Sequence, residues 1–377
     1  MKVEDWINRF HEAPLLVFWE STKACPLACK HCRADAILKP LPGELTTGEG
    51  RLLIEQVASF GDPKPLLVIT GGDALMRSDL FELIDYTRSC GVPVAVSPSV
   101  SSNLSDDILR RFKEASVKSL SISLDGATAA THEDMRQVPG NFNATLDAIA
   151  RAVKIGLALQ VNTVVWKKNI RELPVIAKLI MDLGVRIWEV FFLIVTGRAV
   201  RELDITSQQY EDVVQFLFDV SRYGLQVRTV EAPFYRRAKM ERVNGIKYDG
   251  VLYNELVDRL RTLMGEPKRE PDRTIIPTRD GFGIIFVAYD GTIFPSGFLP
   301  YPLSNIRLKS LVEVYKTHPI LVKMRHGLFR GRCGICEYKS MCGGSRARAY
   351  AEYGDPLATD PACIYEPKYP VGQRVEG

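Results

Sequence analysis

What this sequence lacks narrows its class before any motif is read. Its longest apolar run, around VFFLIV, is far shorter than the roughly 20 residues a membrane-spanning helix needs. The N-terminal stretch MKVEDWINRF contains acids and no apolar core, so no signal peptide is read and the cytoplasm is the expected compartment. Neither sign of charge prevails: 49 Lys and Arg stand against 45 Asp and Glu, which gives no reason to expect nucleic acid or a membrane as partner. Histidine is scarce, with five scattered copies, and no nucleophile triad is visible. There is no internal repeat beyond a βα alternation and no low-complexity tract. No cysteine falls between residues 91 and 332. The eight cysteines therefore collect at 25, 29 and 32, at 333, 336, 342 and 363, and singly at 90.

The remainder is ordinary globular composition over 377 residues, enough for two domains or one large barrel with an appendage. Short apolar runs rich in β-branched residues recur at 15–19, 65–70, 93–98, 119–125, 159–165 and 188–195. Helical patterns separate them. One opens on Thr46-Thr47-Gly48-Glu49, a capping box, and carries Leu53, Val57 and Phe60 until Gly61 stops it. Six βα units in series predict a parallel sheet, with strands buried on both faces. From residue 206 the pattern changes to an amphipathic helix, QQYEDVVQFLFDVSRYG, and a charged stretch over 236–274 that reads as a solvated helical face and linker. IIFVAYDGTIF then predicts a β-hairpin turning on Asp-Gly. Cys90 closes the helical pattern DLFELIDYTRSCG and reads as a buried core thiol.

CPLACKHC, residues 25–32, follows the first strand, where parallel α/β proteins place functional loops. Its spacing is too short for a disulfide framework and one ligand short of a closed zinc site. Three thiolates can hold three irons of a [4Fe–4S] cubane and leave the fourth open to a small molecule; a zinc knuckle with a distant fourth ligand is the competing reading. Thr70-Gly71-Gly72-Asp73 ends the second strand, offering close backbone approach and a carboxylate suited to an ammonium group. SLDGATAATHEDMR follows the fourth and offers Ser123, Asp125 and Arg136, the last a candidate carboxylate clamp.

Together these motifs resemble the radical S-adenosylmethionine (SAM) enzymes of the SPASM/twitch branch. Phrases such as RQVPGNF, FFLIVTGR and CGGSRARAYAEYGD are similar to the heme b synthase group and its relatives. The resemblance implies a parallel partial (β/α)6 TIM-like barrel with a small C-terminal α+β iron–sulfur (SPASM/twitch) domain. It divides the chain into an N-terminal extension (1–14), the barrel (15–205), a helical connector (206–274) and the auxiliary-cluster domain (275–377). It implies that Cys25, Cys29 and Cys32 hold a catalytic [4Fe–4S] cluster, whose open iron SAM chelates. His31 would face the adenine through its backbone. Gly71, Gly72 and Asp73 would receive the methionine amino group, although relatives carry Glu where Asp73 stands. Ser123 and Arg136 would meet the SAM carboxylate, with Ser99 and Asn162 as further contacts. A flavodoxin- or ferredoxin-type donor would supply the reducing electron.

Cys333, Cys336, Cys342 and Cys363 read on spacing alone as either a structural zinc site or a cluster. The resemblance implies one fully ligated auxiliary [4Fe–4S] cluster. Ser296 and Ser345 stand where relatives carry cysteines of a second, inner one, so that one is expected to be absent. A fully ligated cluster suits electron transfer, and hence an oxidative outcome. Two substrate classes compete: a tetrapyrrole decarboxylated at its propionates, and a peptide. Arg198, Arg236 and Arg237 are candidate propionate partners, with structural ion pairs as the plainer account of each. A reading of another class, an iron–sulfur electron-transfer or binding protein without radical chemistry, is disfavoured by Gly71, Gly72, Asp73 and Arg136, which a carrier would not need.

Overall fold

Ten strands form one sheet in the computed structural model, which describes residues 3–368. Strands β1 (Leu16–Glu20), β2 (Leu66–Thr70), β3 (Val94–Val96), β4 (Leu120–Ser123), β5 (Leu159–Val165) and β6 (Ile187–Phe192) are the six anticipated ones, parallel and in chain order. A seventh parallel strand, β7 (Gln226–Val230), extends the sheet beyond β6. Its sequence QVRTV exposes Gln226 and Arg228 and so carries no apolar run to announce it. On the other flank β8 (Ile284–Val287) pairs parallel with β1, and the antiparallel β9 (Thr292–Phe294) and β10 (Ser304–Asn305) follow. The Asp290-Gly291 turn joins β8 to β9 as the hairpin signal indicated, with Gly291 at φ +82°. The stretch read as a helical connector therefore lends one strand to the same sheet, and the C-terminal region lends three.

The strands are not apolar on both faces. In β5, Leu159, Val161, Thr163 and Val165 are buried, while Gln160, Asn162 and Val164 turn to the opposite side. In β6, Trp188, Val190 and Phe192 enter the core and Glu189 and Phe191 face away from it. This period-2 alternation splits the sheet into an outer face packed under helices and a concave face that lines a cavity. The outer layer forms as the periodicity predicts: the helix Thr47–Ala58 opens on the Thr46–Glu49 capping box and buries Leu53, Ile54 and Val57. Cys90 caps the helix Leu80–Ser89 and is half-buried against the core, short of the full burial expected.

The charged stretch from 236 is also not a solvated face. The helix Ser207–Ser221 is buried from Tyr210 to its end, under the helices Tyr235–Val243 and Val251–Met264. Its acids are satisfied inside. Glu211 pairs with Arg237, which also reaches Glu241 at 2.7 Å, and Asp219 pairs with Arg242 at 2.9 Å. Lys239 is buried and reaches Asp272 at 3.0 Å. Charge that reads as solvated is here paired across an interface.

Candidate active site

The concave face encloses a cavity of about 380 Å³. Leu16, Phe18, Val68 and Phe286 make one side of it apolar. Ser121, Ser123, Gln160, Asn162 and Glu189 make the other side polar. The three cysteines of the first loop open onto its end beside Gly71, Gly72, Ser99, His31 and Arg136.

The loop after β1 is pinned from three directions. Cys25 N–H donates to Ile37 O at 2.7 Å, closing the loop on itself. Gly72 N–H donates to Thr22 O and Asp73 N–H to Ala24 O, both at 2.7 Å. A Cβ on Gly72 would lie 2.3 Å from Ala24 O, so only glycine permits this approach. From the loop after β6, Arg198 donates to Cys29 O at 2.9 Å and Ala36 O at 2.7 Å, and its backbone N–H reaches Cys32 O at 3.0 Å. Arg198 thus has a structural use, holding the cysteine loop, although it also lines the cavity.

The thiols have donors aimed at them. Leu27 N–H points at Cys25 Sγ (3.4 Å), Ala36 N–H at Cys32 Sγ (3.5 Å) and the Arg136 guanidinium at Cys29 Sγ (3.7 Å). Ser99 Oγ lies 3.5 Å from Cys25 Sγ. Burial pushes the Cys25 and Cys29 thiols up, and these donors oppose it. Two buried sulfurs and one half-buried one, with an arginine at Cys29 and N–H groups at Cys25 and Cys32, suit a bound, electron-rich cluster.

Other anticipated residues already have neighbours within the protein. Asp73 is fully buried; its carboxylate accepts from Leu75 N (3.1 Å), Ser99 N (3.2 Å) and Ser101 Oγ (3.3 Å). It therefore ties the loop after β2 to the loop after β3, and burial raises its pKa against those bonds. Arg136 already has a resident carboxylate, Asp125, at 2.6 Å, while its Nε has no partner. Burial would push Asp125 up, but Arg136 holds it below the usual carboxylate range. His31 is half-buried with its Nε2 3.9 Å from Asp125, and desolvation lowers its pKa to about 4, leaving the ring neutral. Asn162 accepts from Gln160 at 2.8 Å.

Several cavity residues gave little signal in the sequence. Gln160 donates to Glu189 at 2.6 Å, and burial raises the Glu189 pKa. Both are polar residues alternating through apolar strands, which was the available clue. Glu231, just past β7, adopts φ +60°. It accepts from Ser345 Oγ at 2.5 Å, and burial beside Asp280 pushes its pKa well up. Ser296 and Ser345 both line the cavity.

Behind this wall, Cys333, Cys336, Cys342 and Cys363 surround a hollow of about 30 Å³. Each sulfur has a backbone N–H partner: Asp360 at 3.4 Å for Cys333, then Tyr338, Gly344 and Tyr365 for the others. Burial still pushes Cys336, Cys342 and Cys363 up, Cys342 to about 12. Among the described residues, no three His, Cys, Asp or Glu side chains gather so as to hold a single metal ion. Gly344 lines both this hollow and the main cavity, so one residue's thickness separates them there. No described helix is long and apolar enough to cross a membrane.

The Radical SAM superfamily model matches residues 19–180 of the chain. An AdoMet-dependent heme synthase of Methanosarcina barkeri is 35% identical over 357 residues, covering 94% of this chain and 97% of that protein. A second AdoMet-dependent heme synthase, from Nitratidesulfovibrio vulgaris, is 34% identical over 361 residues, covering 94% and 93%. Among solved structures, Streptococcus suis SuiB bound to its precursor peptide SuiA aligns with a TM-score of 0.69 at 14% identity, over 94% of this chain and 76% of that one. That likeness is one of fold.

Proposed function

The chain belongs to the radical SAM superfamily, and from that premise we propose that this enzyme oxidatively decarboxylates propionate side chains of a tetrapyrrole. The family implies a [4Fe–4S] cluster and SAM. When bound, they supply a 5′-deoxyadenosyl radical that removes a hydrogen atom from substrate. Cys25, Cys29 and Cys32 would hold that cluster. Gly71, Gly72, Ser99, Ser123, Arg136 and Asn162 would form the SAM pocket, His31 would face the adenine through its backbone, and Asp73 would act by positioning Gly72 and Ser99. The protein's own work is to orient the substrate and exclude water.

The observation that carries the oxidative reading is the shared wall at Gly344. A carbon radical formed in the cavity must lose one more electron to become an alkene and carbon dioxide, and the four-cysteine hollow lies directly behind that wall. Four thiols set around a hollow, each with an N–H donor, suit a fully ligated auxiliary [4Fe–4S] cluster. From there the electron would leave to a one-electron carrier of the flavodoxin or ferredoxin type.

The tetrapyrrole reading draws on the heme synthases, similar over nearly the whole chain, and on a cavity with one apolar and one polar side. Of the arginines considered for propionates, Arg237 is consumed by Glu211 and Glu241, and Arg236 donates to the Thr278 and Met341 carbonyls. Arg228 is the better candidate: it is exposed, lines the cavity near Glu189 and, among the described residues, has only the amides of Gln160 and Gln226 as hydrogen-bond partners. The test is anaerobic turnover of iron-coproporphyrin III with SAM and a reductant, followed by mass spectrometry. Loss of carboxyl groups together with 5′-deoxyadenosine formation is expected. 5′-Deoxyadenosine without any change in the tetrapyrrole would move the assignment to a peptide substrate, and its absence would end the radical reading.

A further inference from the structure

Several arginines withdrawn from solvent in this chain face an acid, although buried Arg325 is held by the carbonyls of Tyr315 and Lys316. Arg136 meets Asp125, Arg237 meets Glu211, Arg242 meets Asp219 and Arg348 meets Asp360. Three arginines beside the four-cysteine hollow have no carboxylate ion pair among the described residues. Arg346 is 0% exposed, with one terminal nitrogen 3.6 Å from Cys333 Sγ. Its other donors go to the carbonyls of Gly344 (3.2 Å), Pro356 (3.2 Å) and Ala358 (2.6 Å). Arg279 is 5% exposed and donates to Ser340 O (3.1 Å) and Met324 O (3.3 Å), with Nε unpartnered. Arg236 donates to Met341 O, next to Cys342, at 3.4 Å.

The nearby carboxylates are already engaged. Asp280 accepts from the backbone N–H groups of Arg346 (2.9 Å) and Ala347 (3.1 Å), and Asp360 from Ser345 N (2.7 Å) and Arg348. Burial lowers the pKa of Arg236 to about 10 and that of Arg279 to about 9, and in both cases Cys342 is the nearby thiol that opposes the shift. Buried cations persist where an anion compensates them. Here the anions at hand are cysteine sulfurs, joined at Arg279 by Asp280, which makes no ion pair with it.

Four thiolates around a [4Fe–4S] core carry a net charge of roughly −2, and roughly −3 after taking up one electron. We propose that Arg236, Arg279 and Arg346 form a cationic collar that favours the reduced state of the auxiliary centre, so that it accepts an electron from the reaction cavity. The inference rests on reading the four cysteines as cluster ligands. The collar breaks no bond. It shifts the equilibrium of a one-electron transfer from substrate radical to centre, and the electron then passes to the flavodoxin- or ferredoxin-type carrier.

The test uses the full chain with Cys25, Cys29 and Cys32 all replaced by Ala, so that any iron reports the auxiliary centre alone. Iron and zinc are counted, and the midpoint potential is measured by EPR-monitored titration, for this parent and for Arg236→Gln, Arg279→Gln and the corresponding Lys variants. The expected result is an iron-loaded parent in which each Gln variant lowers the reduced-to-oxidised ratio at a fixed potential at least tenfold, about 59 mV for one electron. The Lys variants, which keep the charge, should recover most of that shift. Iron-loaded Gln variants with the parent's potential would overturn the collar and leave the cluster reading standing. Zinc in the parent would overturn the cluster reading and the collar with it. If Arg279→Gln does not fold, the half-buried Arg236 pair of variants decides the matter by the same criterion.

Discussion

Replacing Gly72 with alanine tests how the first loop is held. The added methyl carbon would lie 2.3 Å from Ala24 O, 2.7 Å from Ala24 C and 2.8 Å from Lys23 O, all backbone atoms that cannot swing aside. Ordinary contact begins at 3.4 Å, so the two loops must separate by roughly 1 Å. Such a shift takes the Gly72 N–Thr22 O and Asp73 N–Ala24 O bonds, both 2.7 Å, beyond hydrogen-bonding range. Two lost bonds at about 0.5–1.5 kcal/mol each, added to overpacking of about 1–3 kcal/mol, give a destabilisation of about 2–6 kcal/mol. The same shift carries Cys25 away from Ser99 and the floor of the SAM pocket. Thermal unfolding of the apo-protein and 5′-deoxyadenosine formation by the reconstituted enzyme are the two readouts, and both should fall. Gly48→Ala is the control: its Cβ meets nothing within 4 Å, and it lies in the first turn of a helix, so stability should be unchanged or slightly raised. A Gly72→Ala protein with the parent's melting temperature and normal SAM cleavage would refute the reasoning.

Three further outcomes are expected. Cys29→Ala should abolish SAM cleavage, measured as 5′-deoxyadenosine, while iron in the C-terminal site persists. Cys336→Ala should leave uncoupled SAM cleavage but stop product formation; equal loss of both would count against a division of labour between the two centres. Asp125→Asn leaves the half-buried Arg136 without its anion and should cost about 3–5 kcal/mol at neutral pH. Because the Asp125 pKa is depressed on folding, its stabilisation is present above its unfolded value of about 3.9 and is lost as pH falls through the lower folded value. The gap in melting temperature between parent and variant apo-proteins should therefore narrow in acid, and a gap independent of pH would contradict the ion-pair account.

The backbone framework was legible because its signals are local. β5 spans Leu159–Val165, the run marked by its apolar residues, and the helix Thr47–Ala58 starts at its capping box. The two cysteine groups were readable from spacing, and each opens onto a hollow in the structure. What escaped notice depends on neighbours distant in sequence. β7 has too few apolar residues to declare itself, and is a strand because β6 offers it an edge. Arg237 and Glu211 look solvated until the helices bearing them are packed together. Asp73 follows two glycines as a ligand-binding carboxylate would, yet the loop after β3 takes up its oxygens. The pairing of Asp125 with Arg136 links the end of β4 to the end of the helix Ala129–Arg136, and no pattern in the intervening residues encodes that contact.

The most direct test of the central claim is a count of iron, sulfide and zinc in protein purified and reconstituted without oxygen. Two cubanes, with about eight irons and eight sulfides per chain, are predicted, one in the first loop and one in the C-terminal hollow. About four irons with one zinc would make the C-terminal cysteines a structural knuckle and remove the electron acceptor from the proposed reaction. Zinc with no iron would contradict the radical reading of Cys25, Cys29 and Cys32.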